Sequence, residues 1–176
     1  MNVTAPIIAL NCLIYFLVNY ANFSNDLVLG LNLYFIDALL IWQPLTSMFM
    51  HANLTHLLMN MAVLFQFGSM LEYKFGALKF SAVYLLGGVA TSLLSFVYIY
   101  FAYQLNGSFI NLVGASGAIS VLLGIVAFLD RSSAKGLLMA ILLMSFVPLM
   151  MGVNIAWYAH IIGFGVGYLI MKARVL

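Results

Sequence analysis

The sequence has very little charge. Only 6% of its 176 residues are Asp, Glu, Lys or Arg, whereas 66% are hydrophobic. A soluble domain of this size needs more polar surface than that, so the composition excludes an ordinary soluble enzyme. The net charge of +2 is too small to indicate a nucleic-acid partner. These absences favour a protein whose partner is the lipid bilayer.

Cysteine and acidic residues are also scarce. The single cysteine, Cys12, excludes an intramolecular disulfide and a cysteine-based metal site, and we expect neither a metal nor a cofactor. The only acids are Asp26, Asp37, Glu72 and Asp130, which lie in loops or at the ends of apolar segments. A catalytic triad with a carboxylate as its third member is therefore not expected.

Long hydrophobic runs are what the sequence does have. Six segments match or approach the roughly 17–25 residues that a transmembrane helix needs. Their predicted bounds are 5–23, 54–71, 78–100, 115–129, 136–151 and 155–171. They predict an all-α, polytopic membrane protein with one domain that covers residues 1–176.

The basic residues predict the orientation of these helices. All six follow an even-numbered segment, namely Lys74, Lys79, Arg131, Lys135, Lys172 and Arg174. Because cytoplasmic connections are enriched in Lys and Arg, we expect both ends of the six-helix bundle in the cytoplasm. The long apolar connection 24–53 would then lie outside, as an amphipathic structure in the interface anchored by Trp42. A poorly ordered loop is the alternative.

Four polar side chains share one predicted depth in the bilayer. At 1.5 Å per helical residue, Ser116 lies roughly 21 Å above the cytoplasmic charges, and His160 and Asn60 lie roughly 18 Å above them. His56 lies roughly 24 Å above them by the same count. Each side chain alone is explained by capping or by a packing hydrogen bond. Polar groups in hydrocarbon are nevertheless expensive and usually functional, so their common depth predicts one site in the outer half of the membrane.

The chemistry of these residues predicts a nucleophilic enzyme. Serine with histidine is the smallest set for covalent catalysis, with Ser116 as nucleophile and His160 as general base. An oxyanion beside Ser116 needs donors. His56 and Asn60, which are spaced i and i+4 on one helix face, and the Ser116 amide can supply them.

Glycines predict a close approach between the fourth and sixth segments. Gly117 and Gly124 lie one heptad apart on the fourth segment, and Gly163 and Gly167 form a GxxxG pattern on the sixth. Small residues let two helix backbones come close, which would bring Ser116 to His160. Gly114 allows a backbone conformation that is closed to other residues, so the chain can turn into the helix just before the serine.

These residues together resemble the rhomboid family of intramembrane serine proteases. The matching motifs are Gly114-Ala115-Ser116-Gly117, Ala159-His160…Gly163…Gly167, His51…His56…Asn60 and Glu72…Gly76…Phe80. The resemblance implies a Ser116–His160 dyad, with His56 and Asn60 stabilising the oxyanion. It also implies cleavage of a peptide bond in or beside the transmembrane helix of a membrane-protein substrate. We expect the active site to open to the non-cytoplasmic side, which in a bacterium means the outer face of the inner membrane.

Two positions depart from the family pattern. The usual Trp-Arg pair of the first outer connection is Trp42-Gln43 here, which removes an expected basic contact. Four residues after the nucleophile, Ser120 replaces an aromatic residue that usually stacks on the catalytic histidine. Either another aromatic residue, Phe164 or Tyr158, takes over that contact, or the histidine is held less firmly.

Two other functions remain open. A rhomboid-like protein without activity would bind transmembrane helices and leave them uncut. A small-solute transporter or a haem protein would use His51, His56 and His160 to bind the solute or the haem iron.

Overall fold

The computed structural model describes residues 2–21, 25–152 and 154–174. Within these ranges the chain is helical and has no strand, only an isolated antiparallel bridge between Leu31 and Leu112. The α-helices are α1 Thr4–Tyr20, α2 Asp26–Leu29, α3 Tyr34–Asp37, α4 Gln43–Thr46, α5 Leu54–Val63, α6 Ser69–Phe75, α7 Ala77–Asn106, α8 Ser116–Leu129, α9 Ala134–Met150 and α10 Trp157–Lys172. A π-helical turn, Leu64–Gly68, joins α5 and α6 into one continuous helix.

The long helices coincide with the six predicted apolar segments. Their bounds differ from the prediction by a few residues, except that α7 runs on to Asn106 and is about 45 Å long. Gly107, with a φ of 70°, ends α7 by donating its N–H to the carbonyl of Tyr103. The predicted end of the first segment, at residue 23, lies outside the described residues.

Among the residues that the structure describes, two helical segments are long and apolar enough to cross a membrane. They are Leu54–Phe75 and Ala77–Asn106, whereas α1, α8 and α9 are apolar but shorter. Helix α8 is the central helix of the fold, and most of its residues are buried. Helix α8 has 14 residues and is about 21 Å long. Its first residue, Ser116, is buried.

The closest helix crossing joins α8 and α10 through glycines. A Cβ atom at Gly167 would overlap the carbonyl oxygen of Val121, and one at Gly124 would overlap that of Phe164. At Gly163 the added atom would lie 3.0 Å from the Cβ of Ser120 and overlap a backbone oxygen of α8. The predicted close approach of the fourth and sixth segments is present, because only a hydrogen fits at these three positions.

Gly117 has a different place in this packing from the one predicted. Its α-carbon faces α7, where an added Cβ would lie 3.2 Å from Cγ2 of Thr91. Only its carbonyl oxygen lies beneath Gly163 of α10. The expectation that Gly117 opposes α10 through its missing side chain is therefore wrong, since the helical rotation turns that side toward α7.

Between the first and second long helices, the described residues 25–53 of the connection form short helices. Leu31, Leu33 and Met48 are buried, whereas Trp42 is exposed and donates its Nε1–H to the carbonyl of Val28. Its position in a membrane interface stays a prediction.

Gln43 holds this connection together from within. Its side chain is fully buried. Its Oε1 accepts the N–H of Asn32 at 3.2 Å, and its Nε2 donates to the carbonyl of Leu27 at 2.9 Å. A neutral amide with two internal partners thus stands where the family pattern has a basic residue.

A carboxylate joins the first helix to the second long helix. Glu72, near the end of α6, accepts hydrogen bonds from the Thr4 amide at 2.9 Å and the Thr4 hydroxyl at 2.6 Å. The Val3 amide donates to its other oxygen. A carboxylate at a helix N-terminus accepts hydrogen bonds from the free N–H groups there and interacts favourably with the positive end of the helix dipole. Glu72 therefore caps α1.

Candidate active site

Ser116 begins α8, and the residues before it explain how the chain enters there. Gly114 has a φ of 128°, a conformation that disfavours side chains, and donates its N–H to the carbonyl of Ser47 at 2.9 Å. A Cβ on Gly114 would lie 2.7 Å from the Cε1 of His56. The glycine therefore lets the backbone pass directly against this imidazole and deliver Ser116 beside it.

His160 lies on the first turn of α10 and faces Ser116 across the α8–α10 crossing. Its Nε2 is 3.0 Å from Ser116 Oγ, and both side chains are buried. Gly163, one turn further along α10, packs against the carbonyl of Gly117, and the backbones come closest further along the crossing, at Gly124 and Gly167. The close crossing of α8 and α10 thus occurs together with a hydrogen-bond contact between the hydroxyl and the imidazole, as the sequence predicts.

His56 and Asn60 lie on α5, and the His56 ring lies against Gly114, two residues before Ser116. The Asn53 side chain caps α5 by accepting the His56 amide at 2.8 Å. The Asn60 Nδ2 donates to the carbonyl of His56 at 2.9 Å, so one amide hydrogen is used inside the helix and one remains for a ligand. The His56 ring lies edge-to-face with His51, with centroids 5.1 Å apart.

Comparison with known proteins identifies the family. A family model described as the Rhomboid domain matches residues 39–175, a range that contains all four predicted site residues. The chain belongs to the rhomboid family. Members of this family are integral membrane proteins.

Curated rhomboid relatives match different lengths of the chain. The RHOMBOID-like protein 6, mitochondrial, of Arabidopsis thaliana is 39% identical over 83 residues, which are 47% of this chain and 24% of that protein. The putative rhomboid protease YdcA of Bacillus subtilis is 33% identical over 141 residues, 73% of this chain and 65% of that protein. The rhomboid protease AarA of Providencia stuartii is 35% identical over 107 residues, 54% of this chain and 37% of that protein. The chain thus spans only part of the length of these relatives.

This rhomboid has a further polar contact that the sequence analysis missed. Ser145 of α9 lies with its Oγ 3.0 Å from the Nδ1 of His160. A signal for it was present, because Ser145 is the only polar side chain of α9 after Lys135. The same helical count places it roughly 15 Å above that charge, close to the depth of His160.

Ser120, which stands where the family pattern has an aromatic residue, bonds within its own helix. Ser120 is buried and donates its hydroxyl to the Ser116 carbonyl at 2.7 Å, inside its own helix. Tyr158, one of the two proposed substitutes, stacks on Tyr98 with centroids 4.1 Å apart. Phe164, the other substitute, packs against the main hydrophobic core. The hydroxyl of Ser145 on α9, and not an aromatic ring, thus contacts the Nδ1 edge of the His160 ring.

A small cavity lies beside the serine. It has a volume of about 10 Å³ and is lined by the side chains of Ser47, Thr91 and Ser92 and by Gly114 and Gly117, which flank the Ala115-Ser116 pair. This volume is close to what one water molecule occupies. Three of its lining residues carry hydroxyl groups, and the apolar side chains of Met48, Leu112, Ala118 and Ala159 form much of the rest of its wall.

Proposed function

We propose that this chain is an intramembrane serine protease that cuts a peptide bond in or next to the transmembrane helix of a membrane-protein substrate. The observation that carries the proposal is the 3.0 Å contact between Ser116 Oγ and His160 Nε2. This contact lies in a buried site of a rhomboid-family chain. A hydroxyl and an imidazole in direct hydrogen-bond contact are the nucleophile and base that acyl transfer requires.

The first half of the reaction forms an acyl-enzyme. Ser116 Oγ attacks the carbonyl carbon of the substrate while its proton passes to His160 Nε2. The tetrahedral intermediate carries the negative charge on the former carbonyl oxygen. When it collapses, the carbon–nitrogen bond breaks and His160 gives the same proton to the leaving amine.

The second half of the reaction consumes water. A water molecule attacks the acyl carbon, His160 Nε2 takes one of its protons, and Ser116 leaves with that proton as a hydroxyl again. The small cavity beside Gly114 and Gly117 supports this step, because the hydroxyls of Ser47 and Ser92 in its wall are partners for a single water near the residues that flank the nucleophile.

The oxyanion has three candidate donors. The Ser116 amide is at the N-terminus of α8, where N–H groups are free and the helix dipole favours negative charge. The His56 ring lies against Gly114, two residues before the nucleophile, and Asn60 keeps one amide hydrogen unused. Together they would surround an oxygen that projects from Ser116 toward α5.

The contacts of His160 weigh against the other functions. Both of its ring nitrogens face serine hydroxyls at 3.0 Å, so neither is free to bind haem iron. A helix-binding protein without activity would not need a nucleophile in hydrogen-bond contact with a base, and this chain has that contact between Ser116 and His160.

A fluorophosphonate probe tests the proposal directly. The purified protein in detergent should be labelled at Ser116, because the probe reacts only with an activated serine. Labelling should disappear in Ser116→Ala and persist in Ser81→Ala, a control whose hydroxyl bonds only the Ala77 carbonyl of its own helix. Equal labelling of the native chain and Ser116→Ala would refute the proposed nucleophile.

The oxyanion donors give a second prediction. We expect Asn60→Ala and His56→Ala each to lower kcat by roughly 10–1,000-fold, the effect of losing one such donor. Probe labelling of Ser116 should become slower but remain detectable, since the nucleophile is intact. If Asn60→Ala lowers only the melting temperature and the specific activity is unchanged, the amide is a packing group.

A third prediction concerns the topology. We propose six transmembrane helices, both ends of the bundle in the cytoplasm and a site open to the outer face. Ala52→Cys and Gly136→Cys introduce exposed thiols at opposite ends of the bundle, and a Cys12→Ser background removes the native one. In intact cells a membrane-impermeant thiol reagent should label position 52 and should reach position 136 only after lysis. The reverse pattern would overturn the orientation.

A further inference from the structure

Helix α9 reaches the site through one side chain. Of its residues, only Ile141 and Ser145 are buried, and the rest of the helix is exposed or half-buried. Ser145 points at the Nδ1 of His160, on the opposite edge of the ring from Ser116. The imidazole therefore lies between two serine hydroxyls that come from different helices.

We propose that Ser145 is a positioning residue for the general base: its Oγ accepts the Nδ1 proton of His160 and so keeps Nε2 free to take the proton of Ser116. The inference rests on the proposed protease function. Ser145 touches neither the nucleophile nor the scissile bond in this scheme and acts only through His160.

The chemistry of a neutral imidazole makes this contact consequential. One ring nitrogen carries hydrogen and the other accepts, and the partner of each nitrogen decides which form is present. With the proton on Nδ1, Ser145 accepts and Nε2 can act as a base toward Ser116. With the proton on Nε2, the ring would donate to Ser116 and could not activate it.

The same oxygen is needed when the base becomes charged. After proton transfer both ring nitrogens carry hydrogen, and a buried N–H without an acceptor is costly. The four acidic residues of the chain are Asp26, Asp37, Glu72 and Asp130. None of these is the partner of Nδ1, so Ser145 fills the place of an orienting carboxylate with a neutral group.

Three other hydroxyls inside helices behave differently. Ser81, Thr91 and Ser120 each donate to the carbonyl four residues earlier in the same helix. That local bond is the usual one for such residues inside helices. Ser145 instead faces a ring nitrogen of another helix, which points to a role in the site.

Valine and threonine at position 145 form a matched pair. They have nearly the same shape and differ in the hydroxyl, so Ser145→Thr should retain the contact and Ser145→Val should lose it. We expect Ser145→Val to lower kcat and the rate of fluorophosphonate labelling by about 10–100-fold relative to Ser145→Thr, as expected for one buried donor left unpaired. KM should change little, and the acid limb of the kcat/KM profile should move to lower pH, because the protonated imidazole loses its acceptor.

A control on the same helix separates this effect from loose packing. Ile141→Val removes one methyl group from the other buried residue of α9 without touching His160. It should lower the melting temperature slightly and leave the pH profile where it was. If Ile141→Val moves that profile as far as Ser145→Val does, α9 acts by packing alone and the proposal fails.

Nitrogen-15 spectra of the histidine rings give a readout that needs no catalysis. His160 signals are assigned by their loss in His160→Ala. In the native chain and Ser145→Thr they should report hydrogen on Nδ1, and Ser145→Val should shift the population toward hydrogen on Nε2.

If all three report the same form and the Val and Thr variants react equally fast, the proposal is refuted while the protease stands. If this shift occurs in a chain that neither cuts nor takes the probe, Ser145 orients His160 and the protease function is wrong.

Discussion

Replacing either Ser116 or His160 by alanine is expected to abolish cleavage and leave the fold intact. The two side chains lie with Oγ and Nε2 3.0 Å apart, and in the proposed mechanism neither performs the reaction without the other. Loss of one member of such a unit lowers kcat on the order of 10³–10⁶-fold. Because the residues act together, the double variant should be no slower than either single variant.

The measurement is cleavage of a transmembrane peptide that the native chain cuts, in detergent and in vesicles. Ser81→Ala provides the matched serine-to-alanine control on α7, remote in sequence from the site residues. Melting temperatures within a few degrees of the native chain would show that the variants are folded. Appreciable turnover by Ser116→Ala would end the serine-protease interpretation.

The second large effect is expected at the glycines of the α8–α10 crossing. In Gly163→Ala or Gly167→Ala the new methyl group would overlap a backbone oxygen of α8, which cannot move aside as a flexible side chain can. Overpacking of this kind costs about 1–3 kcal/mol. We expect α10 to shift so that the overlap is removed, and this shift moves His160 away from Ser116. A displacement of about 1 Å is enough to lower kcat about 100-fold.

Two neighbouring glycines serve as controls for this prediction. Gly165, on the same helix, has open space around its α-carbon, so Gly165→Ala should keep full activity and slightly raise the melting temperature. Gly117→Ala would press on the Thr91 side chain of α7 and should be milder than Gly163→Ala. Full activity in both Gly163→Ala and Gly167→Ala would mean that the crossing does not set the distance between nucleophile and base.

Much of the fold follows from the sequence, because bilayer-length apolar runs have one simple solution. A backbone in hydrocarbon must satisfy its hydrogen bonds within the segment, which makes each run a helix. The bounds of α8 differ from the predicted segment by a single residue, and those of α9 by two at most. Counting residues from the charged ends also places Ser116, His56, Asn60 and His160 at one depth.

The direction in which each residue points was decided by the tertiary structure. Depth follows from counting along a helix, but rotation depends on how neighbouring helices pack. Gly117 therefore turned out to face α7, although its position along α8 suggested α10. In the connection between the first two long helices, Gln43 bonds two backbone groups that no periodicity indicates, because that segment lacks a regular pattern.

The sequence alone determined the helices, the rhomboid resemblance and the pairing of Ser116 with His160. Only the tertiary structure revealed what contacts the other edge of the imidazole, namely Ser145 of α9. A lone serine in an apolar helix is the usual signature of ordinary packing. It is a partner of His160 because α9 packs beside α10 with this side chain turned toward the imidazole, and helix rotation is a property of the whole bundle.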